Sequence, residues 1–271
     1  MLREAPAVGR VKRSRTAQGV AAERALLTDM GVLTDPFARG MLTTPWRVFV
    51  SVVEHLPERL RPWSVTRAGL GARVLWFDAQ VVHALDAGIT QVAVIGAGYD
   101  SRAWRLRRDG VAFFEVDHET TQQDKVRRVP DSAPTYVPAD LATHPAADAL
   151  LARGFDPSRR AIFVLEGVTM YLSEDAVRRQ LGALAASSAA GSRLAVDFSP
   201  PPDIGTSGDR RRMVQQRVFR AGSGETLRLL VDRPHAVSSS RRPVGTSLRK
   251  RACAKPRALS SHVHQVSPST Q

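Results

Sequence analysis

Cysteine is almost absent: Cys253 is the only one among 271 residues. An internal disulfide and a cysteine-built zinc site are therefore excluded, and a reducing cytoplasm is the expected compartment. The histidines show no metal-ligand spacing, so no metal is expected. Apolar runs are short, and none approaches the ~18 residues of a membrane-spanning helix. Arg3, Arg10, Lys12, Arg13 and Arg15 have no apolar segment behind them, so no secretory signal is expected. Acids are missing entirely from Arg233 to Gln271, where eight Lys and Arg stand. Without that stretch, the formal charge of +13 shrinks to 31 basic against 26 acidic side chains. The stretch also has no aromatic residue on which a base could stack. It reads as a solvated, disordered tail with weak affinity for anionic surfaces, and nucleic acid is not the expected partner.

What is present is an apolar content of 43%, enough for a sizeable core in one α/β domain with accessories. The most informative stretch is Val92-Ala-Val-Ile-Gly-Ala-Gly-Tyr-Asp-Ser-Arg102, followed by Phe113-Phe-Glu-Val-Asp117. It predicts a buried parallel strand, a glycine turn that lets backbone approach a ligand, and a second strand ending on an acid. Asp117 lies 21 residues after Gly96, a spacing that suits a carboxylate on the ribose of a nucleotide-like cofactor. A dinucleotide fingerprint would have a third glycine where Ser101 stands, and Asp100 beside the turn would repel a pyrophosphate. S-adenosylmethionine has no phosphate and suits the pattern better. A plainer reading keeps the glycines only for positive φ.

Residues 14–43 read as helical, with Thr16 as an N-cap and Asp35-Pro36 opening the next short helix. An amphipathic helix within 46–63 is closed by Pro57 or Pro62, and another runs from Arg73 to Ala87 with Gly88 as its stop. Strands are then expected at Gln91–Ile95, Ala112–Val116, Thr135–Pro138, Ala161–Leu165 and Arg193–Phe198. Between them lie helices at Arg102–Arg107, Glu119–Arg128, Pro145–Arg153 and Ser173–Ser188. This alternation argues for a parallel sheet covered on both faces, with ligands at the C-terminal strand ends. Asp117, Asp140, Glu166 and Asp197 all fall at that rim.

Taken together, several segments resemble the leucine carboxyl methyltransferase-like family of S-adenosylmethionine-dependent methyltransferases. They are Thr16-Ala-Gln-Gly-Val-Ala-Ala-Glu-Arg-Ala25, Asp35-Pro-Phe-Ala38, Gln91 to Leu106, Phe114-Glu-Val-Asp117, Ala139-Asp-Leu141, Gly154-Phe-Asp-Pro157 and Glu166-Gly-Val-Thr-Met-Tyr-Leu172. The resemblance implies a doubly wound, mostly parallel Rossmann-like sheet with an N-terminal helical cover. It divides the chain into a cover at 1–90, a cofactor core at 91–237 and a basic tail at 238–271. It implies that Gly96 and Gly98 pass under the cofactor, with Asp117 on the ribose hydroxyls. Asp140 and Leu141 would flank the adenine, Glu166 would lie near the methionine end, and Arg73 would meet the cofactor carboxylate. The implied reaction is O-methylation of a carboxylate or hydroxyl on a small molecule or protein, with no general base nominated.

Each position also has a structural reading. Asp140 could cap the next loop, Glu166 could pair with Arg160, Arg73 could be an ordinary helix-face charge, and His118 reads as a loop residue. Two other functions compete. A nicotinamide-dependent oxidoreductase is disfavoured by Ser101 and by the lack of a Tyr-x-x-x-Lys pair, and a basic nucleic-acid-binding protein would rest on the tail alone.

The family pattern lapses near Val237. Gly224 to Asp232 still resembles a late strand, but Ser238-Ser-Ser-Arg-Arg-Pro243 and the residues beyond it do not. A frame shift near codon 237 would produce such a break and leave the last antiparallel strands incomplete, with an unpaired sheet edge. Sequencing the locus should then reveal family-like sequence in another frame beyond codon 237; its absence from every frame would defeat the idea.

Overall fold

The computed structural model describes residues 14–57, 64–129, 134–199, 228, 229, 231 and 264–265. Helix α1, Arg15–Asp29, opens at Ser14, whose Oγ accepts the Ala17 N–H at 3.0 Å. The cap is thus two residues earlier than Thr16, which lies inside the helix. Asp35-Pro36 does not open a helix: Asp35 Oδ1 accepts the N–H groups of Phe37 and Ala38, and turns continue to Met41. An acid that ties up both amides closes a tight turn, with the next helix beginning only beyond it. Helix α2, Thr44–His55, stops just before Leu56-Pro57. Helix α3, Ser64–Asp86, starts well ahead of the expected Arg73 and ends at Gly88, whose φ of +78° lets the chain reverse.

Five strands come next: β1 Gln91–Ile95, β2 Ala112–Asp117, β3 Thr135–Pro138, β4 Ala161–Leu165 and β5 Arg193–Val196. They pair in parallel in the order β3-β2-β1-β4-β5, so the winding direction reverses between β1 and β4. A two-residue strand, β6 at His264–Gln265, lies antiparallel on β5. Every residue of β1 and β4 is buried, as continuous apolar strands covered on both faces require. The connecting helices are α4 Arg102–Arg105, α5 Glu119–Val126, α6 Ala146–Leu151 and α7 Glu174–Ala186. Ser173 caps α7 as its sequence suggests, accepting from the Ala176 N–H at 3.2 Å.

One face of the sheet presents Ile95, Phe114 and Val116 to Leu150, Phe155 and Val177 around α6 and α7. The other presents Val92, Val94 and Ile162 to Phe77, Val81 and Leu85 of α3. Each such fully buried side chain contributes about 1.5–3 kcal/mol. A third cluster joins Ala21, Ala22 and Leu26 of α1, Met41, and Val50 and Val53 of α2 to Tyr99 of the glycine turn. The N-terminal helices therefore pack directly on the turn after β1.

Most of the expected strand at 224–232 lies outside the described residues, and 228, 229 and 231 form no regular strand. The tail from 238 onward is likewise outside them apart from β6.

Gly96 has φ +70°, and a Cβ there would fall 2.4 Å from Val168 Cγ2. At Gly110, φ is +74° but nothing lies within 4 Å of the added carbon. Gly96→Ala should cost about 2–5 kcal/mol, the sum of strain and overpacking, against about 1–2 kcal/mol for Gly110→Ala. Urea denaturation of the two variants checks the difference; equal costs would show that Val168 gives way freely.

Candidate active site

The strand ends and the N-terminal helices enclose a cleft of about 910 Å³ at the point where the winding reverses. Its floor is the glycine turn. The Gly96 and Ala97 N–H groups both donate to the Val116 carbonyl, at 2.7 and 3.1 Å, which draws the turn against the end of β2. Gly98 has φ +51°, and a Cβ on it would stand 3.0 Å from that of Ala17 in α1. Side chains are therefore excluded from both glycine positions, by backbone geometry and by the wall opposite.

Asp117 closes β2 at this floor. Its Oδ2 accepts the Gly98 N–H and its Oδ1 the His118 N–H, both at 2.6 Å. Burial pushes its pKa above the usual carboxylate value, and these two amides work in the opposite direction. Farther along the rim, Asp140 Oδ1 accepts the Ala142 N–H at 2.9 Å, so the capping reading of Asp140 holds while the residue also lines the cleft. Leu141 beside it is buried against the core and lines the same wall. His118 is exposed, with its Nε2 3.7 Å from Asp140 Oδ1.

The opposite end of the cleft is an ion-pair lattice. Arg73 Nε donates to Glu166 Oε1 at 3.0 Å, and Arg73 Nη1 stands 3.7 Å from Asp197 Oδ2. Glu166 thus pairs with Arg73, not with Arg160, whose Nη2 goes to the Ala87 carbonyl instead. Asp197 Oδ1 accepts the Gly167 N–H at 2.7 Å, fixing the loop after β4. Glu166 also receives Arg102 Nη2 at 2.7 Å. Burial would raise the Glu166 carboxyl, but Arg102 and Arg73 outweigh it and hold it below its usual value.

Arg102 is the residue that spacing did not single out. It is 1% exposed, and its guanidinium donates to Asp78 at 2.7 Å, to Asp100 at 2.5 Å and to Glu166. Burial opposes its charge, but the three carboxylates raise its pKa above the ordinary value. The signal was present in the run Asp100-Ser-Arg102 directly after the glycines. Its partners Asp78 and Glu166 stand 24 and 64 residues away, beyond any local pattern.

Ser101 shows what replaces the third glycine of a dinucleotide site. Fully buried, its Oγ donates to Asp35 Oδ2 at 2.7 Å and accepts from Arg105 Nε at 2.8 Å. Arg24 of α1 joins this knot, donating to Asp35 Oδ2 and to the Tyr99 carbonyl, both at 2.8 Å. The Arg102 N–H, an amide at the start of α4, already donates to Asp100 Oδ1 at 2.6 Å. A carboxylate therefore occupies the place where a pyrophosphate would seek amides, and the turn suits a ligand without phosphate. Bare glycines, a carboxylate at the second strand end, an apolar wall and an arginine across the cleft fit an adenosyl sulfonium with an amino-acid tail. Among the described residues no His, Cys, Asp and Glu cluster is arranged to hold a metal ion, and no helix is long and apolar enough to cross a membrane.

Residues 17–185 match the family model described as leucine carboxyl methyltransferase. A protein of Mycobacterium avium (strain 104), provisionally named an S-adenosyl-L-methionine-dependent methyltransferase, is 32% identical over 223 residues, covering 73% of this chain and 68% of its own. One of the same description from Mycolicibacterium smegmatis is 32% identical over 235 residues, covering 80% of this chain and 71% of its own. A crystal structure from Thermobifida fusca, provisionally titled a methyltransferase, shares the fold with a TM-score of 0.50 and 19% identity, over 90% of this chain and 91% of that one. The sheet and these relatives define an S-adenosylmethionine-dependent methyltransferase. Within that class, the chain belongs to the leucine carboxyl methyltransferase family.

Asp100 supplies a test of the lattice. Burial would raise its carboxyl, but the charges of Arg102, Arg24 and Lys125 bring it from 3.8 down to about 2. The folded value is the lower one, so the stabilisation is complete above the unfolded value and is lost as pH falls through the folded one. Urea melts should show the native chain losing about 2 kcal/mol between roughly pH 4 and pH 2 that Asp100→Asn, starting from a lower plateau, does not lose. Parallel curves for the two proteins would contradict this account of Asp100.

Proposed function

We propose that this chain methylates an oxygen, of a carboxylate or hydroxyl, on a small molecule or protein chain brought to the cleft beside Gly96 and Gly98. The cofactor, when bound, supplies a methyl group made electrophilic by its sulfonium. The rest falls to the protein's residues. In this reading Asp117 accepts from the ribose hydroxyls, and Asp140 and Leu141 flank the adenine. Arg73 meets the carboxylate of the methionine end, with Glu166 beside it. Residues 1–90 form the cover, residues 91–237 the cofactor core, residues 238–271 a basic tail, and the compartment is the cytoplasm. The observation that carries the proposal is Asp117, whose carboxylate is pinned to the Gly98 amide at the edge of a floor without side chains.

An ionised carboxylate acceptor needs no general base, only close approach and exclusion of water. The arrangement of acids favours that case. Glu166 is held by Arg73 and Arg102, which outweigh burial and keep its carboxyl below the usual value, so it is not arranged to take a proton; Asp197, bound by the Gly167 amide and Arg73, has its carboxyl raised by burial. A hydroxyl acceptor would draw on a base, and His118 at the exposed rim is the one histidine among the described residues that line the cleft. The family's own description, a carboxyl methyltransferase, points to the same acceptor class.

Calorimetry tests the cofactor assignment. S-adenosylmethionine should bind and NAD should not, and Asp117→Ala should weaken binding by about 10- to 100-fold. Equal affinity in the native chain and the variant would remove Asp117 from the site. An acceptor screen with methyl-labelled donor, comparing carboxylates with phenols and alcohols, then tests the oxygen.

A further inference from the structure

Glu115 and Asp117 stand two residues apart on β2, so their side chains leave the same face of the sheet. Asp117 reaches the cleft floor, while Glu115 lies one step deeper and is buried. Its Oε2 accepts from Lys125 Nζ of α5 at 2.5 Å, and Lys125 is fully buried as well. The ammonium also stands 5.3 Å from the ring centre of Trp104. Glu115 Oε1 has no hydrogen-bond partner among the described residues, and neither has the hydroxyl of Tyr136, its register partner on β3. A buried carboxylate with one oxygen unserved is costly to keep ionised. A proton can settle on that oxygen without displacing any contact.

The pair holds α5, and α5 holds one corner of the cleft. Gln122 Nε2 ties the helix to the Glu115 and Val137 carbonyls at 2.8 and 3.2 Å, and Asp124 receives the Tyr99 hydroxyl at 2.6 Å. Where the helix starts, the His118 N–H donates to Asp117 Oδ1, and the His118 carbonyl accepts from Thr121 and Gln122 at 3.0 and 3.1 Å. Thr121 itself lines the cleft. A shift of α5 therefore moves the His118 amide and one wall of the cleft relative to Asp117. Lys125–Glu115 is the tie made of two opposite charges, and it loses its main attraction when Glu115 takes a proton.

Burial pushes the Glu115 carboxyl up, Lys125 pulls it down, and the acids Asp100 and Asp117 push it up again, to about 7. The titratable groups that act on it among the described residues are Lys125 from α5, Tyr136 from β3, Asp100 from the glycine turn and Asp117 from its own strand. From α4, Trp104 offers only its ring to Lys125.

We propose that Glu115 is a positioning residue of the cofactor site: as a carboxylate it holds α5 through Lys125, and with α5 the Gly98–Asp117–His118 corner, and as a neutral acid it releases them. Glu115 touches no reacting atom and acts through Asp117 and α5. The proposal rests on the cleft being the cofactor site.

Titration calorimetry with S-adenosylhomocysteine, on the full native chain and on Glu115→Gln, tests it at about pH 8.5 and about pH 5.5, either side of the Glu115 titration. The quantity read is the ratio of the two dissociation constants at each pH, in which the titrations of the ligand and of exposed His118 cancel. At the higher pH the variant should bind about 10-fold more weakly, because the native chain has its carboxylate. At the lower pH the native chain carries the proton, and the gap should close to about 2-fold or less. A ratio that does not fall towards 1 with pH overturns the proposal, since a merely structural Glu115 would weaken binding equally at both. Should Glu115→Gln fail to fold because Lys125 is left unpaired, Glu115→Gln combined with Lys125→Met takes its place with the same expectation. The native chain gives a second readout: binding that favours the carboxylate releases about half a proton near pH 6.5, measured by calorimetry in buffers of different protonation enthalpy. His118→Gln should release as much as the native chain, and a release that vanishes in His118→Gln overturns the proposal. A native chain that binds no S-adenosylhomocysteine at either pH defeats the functional reading, and this role of Glu115 with it.

Discussion

Arg102 lies beneath the cleft with almost no access to water and carboxylates on three sides. Asp78 comes from the long helix before the sheet, Asp100 from the glycine turn, and Glu166 from the end of the central strand β4. One planar guanidinium, with five N–H donors in a fixed fork, therefore sets three separate segments relative to one another. The desolvation cost of such a cluster is large, so it adds little net stability as a set, yet each partner's loss would strand buried charge. Its value lies in geometry. Glu166 is held by Arg102 on one oxygen and Arg73 on the other, which leaves the carboxylate little rotational freedom.

A second knot extends the lattice into the N-terminal region. Asp35 accepts from Arg24, from Ser101 and from two amides of its own turn, and Arg105 approaches the same carboxylate at 3.8 Å. Arg105 also pairs with Asp78, so the two knots share an acid. Beneath β2, Lys125 and Glu115 form a buried pair at 2.5 Å that fixes α5 to the sheet below Asp117. The cleft is thus framed by ion pairs, with the bare glycine turn and apolar side chains such as Leu141, Val168 and Leu172 between them. That arrangement suits a reaction on an activated carbon, where placement and dryness matter more than proton transfer.

Much of this was legible from residue pattern because parallel strands buried on both faces leave unbroken apolar runs. Gln91–Ile95, Thr135–Pro138 and Ala161–Leu165 stand where that pattern puts them, and β2 is one residue longer than expected. Glycine and acid positions around the turn were legible because only a few residue types tolerate that backbone and that spacing. Helix starts were less so. Ser14 and Thr16 are both good caps, and only the backbone at Ser14, extended with ψ 116°, decides between them. The Asp35-Pro36 pair reads equally well as a helix start or a turn, and the contacts of Asp35 with Arg24 and Ser101 belong to the second outcome. Arg102 escaped attention because its meaning lies in residues far along the chain. Asp117, Asp140, Leu141, Glu166, Arg73 and both glycines do line one cleft, which spacing alone could only suggest.

The link from Arg24 to the carbonyl of Tyr99 bears on how the chain can be divided. Tyr99 is 2% exposed because α1, α2 and the turn after Asp35 lie over it. Its hydroxyl, donating to Asp124 at 2.6 Å, faces the opposite element, α5. A fragment cut to begin at the first strand would uncover this ring and strip Asp35 from Ser101. The sheet half is therefore not an excisable module: its own glycine loop is completed by a helix that precedes it by some seventy residues, and any transplant of the sheet into another protein would have to carry that helix along.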